Sequence, residues 1–287
     1  HVDRLRMTSR PRNRRADVRR VFVTPEQMGV TDSRGEAEIR AEALAAVHEL
    51  FPGFEDPSRR PMNLTTLVAR RKGIRAQSVE YRNQTIFENT ARFIIGRISR
   101  GVRERRCMKC WMRSCVCICD RFQGAKLGSQ FSITVFMHPG ELMLASNTGH
   151  LIPLVLPKST AESVVFGIES EHQKLRKRLS KPGTYVLYPT TDAIPVPHLA
   201  NNLARGEDVH LVVIDGTWKT AKKLIRTIQR DPTLPNVRYI AIPEASGIKF
   251  DKLRKRTRED GCSTIEAVAS ALDILGDTKG AEGLRRG

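Results

Sequence analysis

Four cysteines carry the sharpest chemical signal in the chain. They run Cys107-x2-Cys110-x6-Cys117-x-Cys119, and with Cys115 they gather five of the six cysteines into one short stretch. Thiolates at this spacing suit a tetrahedral Zn2+ in a closed, structural site, because soft sulfur donors select zinc over magnesium or calcium. Six cysteines in 287 residues make no disulfide framework. Four thiolates around Zn2+ leave two negative charges, which Arg103, Arg105, Arg106, Lys109 and Arg113 are expected to offset while donating to the sulfurs. Cys115 stays open as a substitute ligand. A reduced buried cluster and an iron–sulfur cluster are the other readings of the same residues.

A second group sits where apolar runs end. Asp215-Gly216-Thr217-Trp218 closes the run Val209–Asp215 and opens a helical pattern. An acid at the carboxyl end of a strand lies where open α/β sheets bind ligands. The plainer reading makes Asp215 or Thr217 a helix cap. His138-Pro139-Gly140-Glu141, Ser146-Asn147-Thr148-Gly149 and Tyr188-Pro189-Thr190-Thr191-Asp192 follow other runs, as ligand-binding loops or as ordinary turns. Ser263-Thr264-Ile265-Glu266 has the spacing of a capping box. Neither a G-x-G-x-x-G nor a Walker A sequence is present, which weighs against common dinucleotide and nucleoside-triphosphate sites.

These residues need a scaffold, and the pattern around them supplies one. Phe131–Met137, Ser163–Glu169, Thr184–Tyr188, Val209–Asp215 and Val237–Ile242 are short, β-branched and nearly continuous in apolar character, as strands buried on both faces are. Helical patterns follow at Trp218–Arg230, with an apolar stripe of Trp218, Ala221, Leu224, Ile225 and Ile228, and at Thr264–Leu275. This alternation predicts an α/β fold, a mostly parallel sheet with flanking helices, with a small zinc-binding element (105–121) on the N-terminal side of a core spanning 130–276. Upstream, Glu36–Leu50 reads as a helix with Ile39, Leu44, Val47 and Leu50 on one side, and Ile86–Ile98 as another. Residues 1–100 are assigned to a basic accessory extension, partly disordered with helical segments. The chain opens on His1 rather than Met, so a truncated or processed start is expected. Its Arg-rich, acid-poor first 30 residues read as a solvated tail, leaving the protein cytoplasmic or nuclear, or as a transit peptide to a mitochondrion or plastid.

Charge indicates the partner. Lys and Arg number 49 against 31 Asp and Glu, a formal charge of +18, which favours a polyanion. No apolar run is long enough to span a membrane. Basic residues cluster at Lys174–Lys181, along Lys219–Arg230 (Lys219, Lys222, Lys223) and at Lys252–Arg258 (Arg254, Lys255, Arg256, Arg258). Aromatics are only 6% of the chain, so phosphate and 2′-hydroxyl contact to structured RNA fits better than base stacking.

Taken in order, C-x2-C-x6-C-x-C, HPGE, SNTGH, YPTTDA, DGTW and LRKRTREDGCSTIEA resemble the DTW-domain family, named for the Asp-x-Thr-Trp seen here as Asp215, Thr217 and Trp218. The resemblance runs from about Arg105 to Leu275. It implies a SPOUT-related fold with a C-terminal knot and a tRNA-uridine aminocarboxypropyltransferase, which moves the 3-amino-3-carboxypropyl group of S-adenosylmethionine onto N3 of uridine in tRNA. On that reading Asp215 is the general base. Ser146, Asn147, Thr148, Gly149, Tyr188, Pro189, Gly216, Thr217, Trp218, Ser263, Thr264 and Glu266 enclose the S-adenosylmethionine, and Lys219, Lys222, Lys223, Arg254, Lys255, Arg256 and Arg258 hold the tRNA. A SPOUT-like RNA methyltransferase, a ribosomal-RNA aminocarboxypropyltransferase and a non-catalytic zinc-bearing RNA-binding module are the competing readings. The oligomeric state is left open.

Overall fold

Strands β1 (Phe131–Met137) and β5 (Val209–Asp215) are buried at every position except their second residues, Ser132 and His210. Such strands must lie in the middle of a sheet covered on both sides. In the computed structural model, which describes residues 34–56, 79–122, 124–204, 206–234, 236–243 and 262–286 (backbone alone for 79–86), they do. With β2 (Ala161–Val165), β3 (Thr184–Leu187), β4 (Ile194–Pro195) and β6 (Arg238–Ala241) they form a parallel sheet in the order β2-β1-β5-β3-β6-β4. The β1–β5 register pairs Met137 with Asp215, so both strands end level. After β1 the chain moves outward to β2, and after β5 it moves the other way to β6. The crevice between the ends of β1 and β5 is therefore the switch point where a parallel sheet binds its ligand.

Eight helices cover the sheet among the described residues: α1 (Glu36–Leu50), α2 (Val79–Arg103), α3 (Ile152–Val155), α4 (Glu169–Leu179), α5 (Val196–Asn202), α6 (Trp218–Gln229), α7 (Thr264–Ile274) and α8 (Thr278–Arg286). Strand alternation sorts the core into two layers. Ile133, Val135, Leu211 and Val213 face one cluster with α1, α2, α7 and α8, while Phe136, Val212 and Ile214 face another built on Leu175 and Leu179 of α4 and Leu224, Ile225 and Ile228 of α6. Each such side chain removed from water stabilises the fold by about 1.5–3 kcal/mol. None of the described helices is long and apolar enough to cross a membrane.

Several elements depart from their expected bounds. The second strand runs from Ala161 to Val165 rather than Ser163–Glu169. Gly167 stops it with φ +91°, and a Cβ there would lie 2.2 Å from Thr90 Cγ2 of α2, so the chain can turn at that point only as glycine. Ile168 then leads into α4, which contains most of the basic run Lys174–Lys181. On α1 the buried face is Ile39, Ala43 and Val47, whereas Leu50 is exposed and Phe51 and Phe54 take its place. Helix α2 buries Ala91, Ile94, Ile95, Ile98 and Val102 at helical spacing, and Arg97 reaches from it to the Leu142 carbonyl. Both helices share one hydrophobic cluster with the sheet. Helix α8, beyond the expected end of the core, packs Ala281 and Leu284 into that cluster. The Arg-rich residues 1–33 lie outside the described residues.

Three histidines are buried or half-buried and held in their neutral form. His172 accepts from the Gly167 N–H among Phe87, Phe136 and Phe166. His210 sits between Ser132 Oγ at 2.6 Å and Thr134 Oγ1 at 2.9 Å. Burial depresses these two and His150 to about 4, against an ordinary 6.5. Because the unfolded chain binds these protons first, stability is complete above 6.5 and is lost as pH falls from there toward 4. Urea unfolding should show a midpoint that drops as pH is lowered through this window. His172→Gln, which can still accept from Gly167, should flatten the dependence; an unchanged profile in that variant would contradict the assignment.

Candidate active site and metal centre

The cysteine element is a knuckle at the end of α2. Trp111 N–H bonds the Cys107 carbonyl at 2.9 Å and Cys107 N–H bonds the Met112 carbonyl at 2.8 Å, closing the Cys107–Cys110 turn. Two short 3-10 turns, Ser114–Val116 and Cys119–Arg121, flank Cys117 and supply Cys119. The sulfurs of Cys107, Cys110, Cys117 and Cys119 all lie within 4.8 Å of one another, with Cys107–Cys119 at 3.5 Å and Cys110–Cys117 at 3.6 Å. A tetrahedral thiolate site with metal–sulfur bonds of about 2.3 Å needs sulfurs about 3.8 Å apart, so the set can hold a metal ion. Cys115 is exposed and stands outside it.

Two of the expected basic residues have partners away from the sulfurs. Arg103 pairs with Glu36, and Arg106 pairs with Glu104 and donates to the Trp111 carbonyl. Backbone amides donate to the Cys107 and Cys117 sulfurs. Burial pushes the Cys107 thiol up, but N–H groups of Cys110 and Lys109 outweigh it and bring the thiol down to about 7. The Cys119 thiol is raised, first by burial and then by the neighbouring sulfurs. A metal ion would resolve this crowding of thiols by taking the place of their protons.

Trp111, directly after Cys110, has φ +59°, a conformation that costs an L-residue roughly 1–2 kcal/mol. Its indole stacks on the His150 imidazole with centroids 3.8 Å apart and planes within 5°. His150 begins the path into the second half of the site.

Asp215 is 2% exposed at the end of β5. Its Oδ2 accepts from Asn147 Nδ2 at 2.6 Å and its Oδ1 from Thr264 Oγ1 at 2.7 Å. Three segments far apart in sequence therefore converge on one carboxylate: the loop after β1, the end of β5 and the start of α7. Gly149 explains how closely they approach, since a Cβ there would sit 2.5 Å from the Asp215 carboxyl carbon. His138 N–H bonds the Asp215 carbonyl at 3.0 Å, and its Nδ1 accepts from Gly140 N–H as a turn cap. Burial and the charge of Lys223 lower the His138 pKa, which keeps the ring neutral.

Beside Asp215 opens a cleft of about 210 Å³ over the ends of β3, β5 and β6. Tyr188, Pro189, Gly216, Trp218, Ser263 and Thr264 line it, joined by Ile242 and Cys262. The Tyr188 and Trp218 rings stand 6.2 Å apart at 57°, forming an aromatic wall. Of the other residues read from sequence, Thr217 caps α6 through its side chain, and Ser263 and Glu266 form a reciprocal capping box on α7. Asn147 and Gly149 meet Asp215 from outside the cleft lining, whereas Ser146 is exposed and Thr148 only precedes the turn Gly149–Leu151. Sequence reasoning missed Trp111 and His150 as site residues, although the His of SNTGH was the available signal.

The basic clusters differ in character. On α4, Lys174 pairs with Glu171, Arg176 with Asp231 and Glu169, and Arg178 with Glu162. On α6, Lys219, Lys222, Lys223 and Arg226 are exposed and, with Arg230, form no ion pair among the described residues. Their positive face borders the cleft through Trp218. Arg254, Lys255, Arg256 and Arg258 lie outside the described residues.

Two substitutions test the metal centre. Cys110→Ser should lose bound metal and lower the thermal midpoint, while Cys115→Ser should keep full metal stoichiometry by elemental analysis. Loss of metal from the Cys115 variant would contradict the four-sulfur assignment.

No solved structure matches the chain. The chain is 27% identical over 176 residues to tRNA-uridine aminocarboxypropyltransferase 2 of Drosophila melanogaster, covering 60% of this chain and 67% of that protein. Residues 104–286 match the family described as the DTW domain, the span that holds the cysteine knuckle, the Asp215 convergence and the cleft. The chain belongs to the DTW-domain family.

Proposed function

We propose that the protein transfers the 3-amino-3-carboxypropyl group of S-adenosylmethionine to N3 of a uridine in tRNA, with methylthioadenosine as the second product. What carries the reading is that the DTW-motif acid is a buried, doubly hydrogen-bonded carboxylate beside a cleft at the carboxyl ends of the strands, in a chain similar to a tRNA-uridine aminocarboxypropyltransferase. The SPOUT relationship and its C-terminal knot belong to the same proposal and rest on the resemblance.

The sulfonium of S-adenosylmethionine supplies the electrophile: the N3–C bond forms at the chain CH2 beside sulfur, that C–S bond breaks, and sulfur leaves as a neutral thioether. The protein must then accept one proton and select one carbon. Asp215 is assigned the proton from N3. The Asn147 and Thr264 donors, one on each oxygen, fix the orientation of the carboxylate. Holding the chain CH2 rather than the methyl in line with N3 decides aminocarboxypropyl transfer over methylation. Tyr188, Trp218 and the backbone at Gly216 and Ser263–Thr264 are assigned the walls that impose this orientation. The four cysteines are assigned a structural Zn2+, which orders the knuckle and takes no part in the transfer. The exposed cations of α6 are assigned the tRNA phosphates, as are Arg254, Lys255, Arg256 and Arg258.

Two measurements test this. Asp215→Ala, assayed on tRNA with labelled S-adenosylmethionine, should lose about 100-fold or more of its transfer rate while still binding S-adenosylmethionine. Near wild-type transfer by the folded variant would remove Asp215 from the role of base. Replacing Lys219, Lys222 and Lys223 with Glu should weaken tRNA binding and reduce the slope of log affinity against log salt by about 0.7–0.9 for each phosphate no longer neutralised. An unchanged slope would move the tRNA to another face.

A further inference from the structure

The knuckle and the cleft acid are joined by an unbroken chain of side-chain and backbone bonds that passes through one residue, His150. Its ring faces the Cys110 carbonyl, with Nε2 at 3.1 Å, and is stacked flat on Trp111. Its backbone N–H bonds Asn147 Oδ1 at 2.9 Å. Asn147 then donates through Nδ2 to Asp215 Oδ2 at 2.6 Å. With Nε2–H given to the Cys110 carbonyl, Nδ1 is an acceptor turned toward Asn147 Oδ1 at 3.2 Å, so the link to Asn147 runs through the backbone amide. All of Cys110, Trp111, Asn147, His150 and Asp215 are buried, where water cannot replace a missing partner.

Trp111 is a second observation at the same place. A backbone with φ +59° is the place for glycine, which would close the knuckle without strain. A tryptophan there does nothing for the cysteines that glycine would not do. What it adds is an indole buried in the main hydrophobic cluster with one face laid against His150.

We propose that His150 is a positioning residue that couples the cysteine knuckle to the active site: the metal-ordered turn at Cys110–Trp111 fixes His150, His150 fixes the Asn147 side chain, and Asn147 aims the Asp215 carboxylate. The knuckle thereby sets the geometry of the acid without touching substrate. The inference rests on the metal assignment and is independent of which group the cleft transfers.

Hydrogen–deuterium exchange on the full chain loaded with Zn2+ tests it, with Zn2+ content measured in parallel and no substrate present. In the wild type, removing Zn2+ with a chelator should speed exchange of the Asn147 and His150 amides roughly tenfold or more, as expected when a buried hydrogen bond is broken. His150→Ala should show that faster exchange while still holding Zn2+. Trp111→Gly, which relieves the backbone while removing the stacked indole from the core, should keep all four sulfur ligands and bound Zn2+ and yet also show it. Wild-type protection of these amides in Zn2+-loaded Trp111→Gly, or after chelation of the wild-type chain, would overturn the coupling. Failure of the transferase reading would leave these results unaffected, because neither substrate nor turnover enters the measurement.

Discussion

A carboxylate held almost entirely out of water at the end of the central strand dictates much of the architecture around it. Asp215 is tolerable there because Asn147 and Thr264 each give its oxygens a hydrogen bond, and an ionised group lacking such partners would cost several kcal/mol. Satisfying it requires the loop after β1 and the start of α7 to come to the same point. That requirement accounts for Gly149, where any side chain would strike the carboxyl, and for the capping box at Ser263 and Glu266, which fixes where α7 begins and hence where Thr264 stands. Cleft and acid share these supports, so the walls at Ser263 and Thr264 are placed by the same bonds that orient Asp215.

The rest of the molecule can be understood as a brace for this point. One face of the sheet is sealed by α4 and α6, the other by a cluster to which α1, α2, α7 and α8 all contribute. Charge is divided in the same way. Arg100 and Arg103 on α2 and Lys174, Arg176 and Arg178 on α4 are matched with acids within the protein, so much of the basic character there is structural. The cations of α6 have no such partners among the described residues and present a positive face beside the cleft. Paired cations cancel in the net charge, so the +18 excess lies in cations beyond these pairs, and that excess is what speaks about an anionic partner.

Much of this was legible in the chain itself. Strands β1 and β5 were read residue for residue because burial on both faces leaves a continuous apolar run bounded by polar turns. The β2 boundary was misread because Phe166 and Ile168 continue the apolar pattern beyond the strand, and only the packing of Gly167 on Thr90 shows why the strand stops. Strand β4 has two residues, one of them proline, too short to carry a period. The four cysteines were legible from spacing, whereas the backbone amides that donate to Cys107 and Cys117 depend on how the turn folds. Asn147, Thr264 and Asp215 were each singled out, yet their meeting spans 68 and 49 residues of sequence and is a product of the tertiary fold. The Trp111–His150 stack was invisible for the same reason.

The central claim concerns which bond is made, and the product shows that most directly. Unmodified tRNA incubated with the Zn2+-loaded protein and S-adenosylmethionine can be digested to nucleosides and weighed by mass spectrometry. The account predicts a uridine carrying the mass of one 3-amino-3-carboxypropyl group on N3, with methylthioadenosine released in equal amount. A uridine heavier by a methyl group alone, accompanied by S-adenosylhomocysteine, would contradict it.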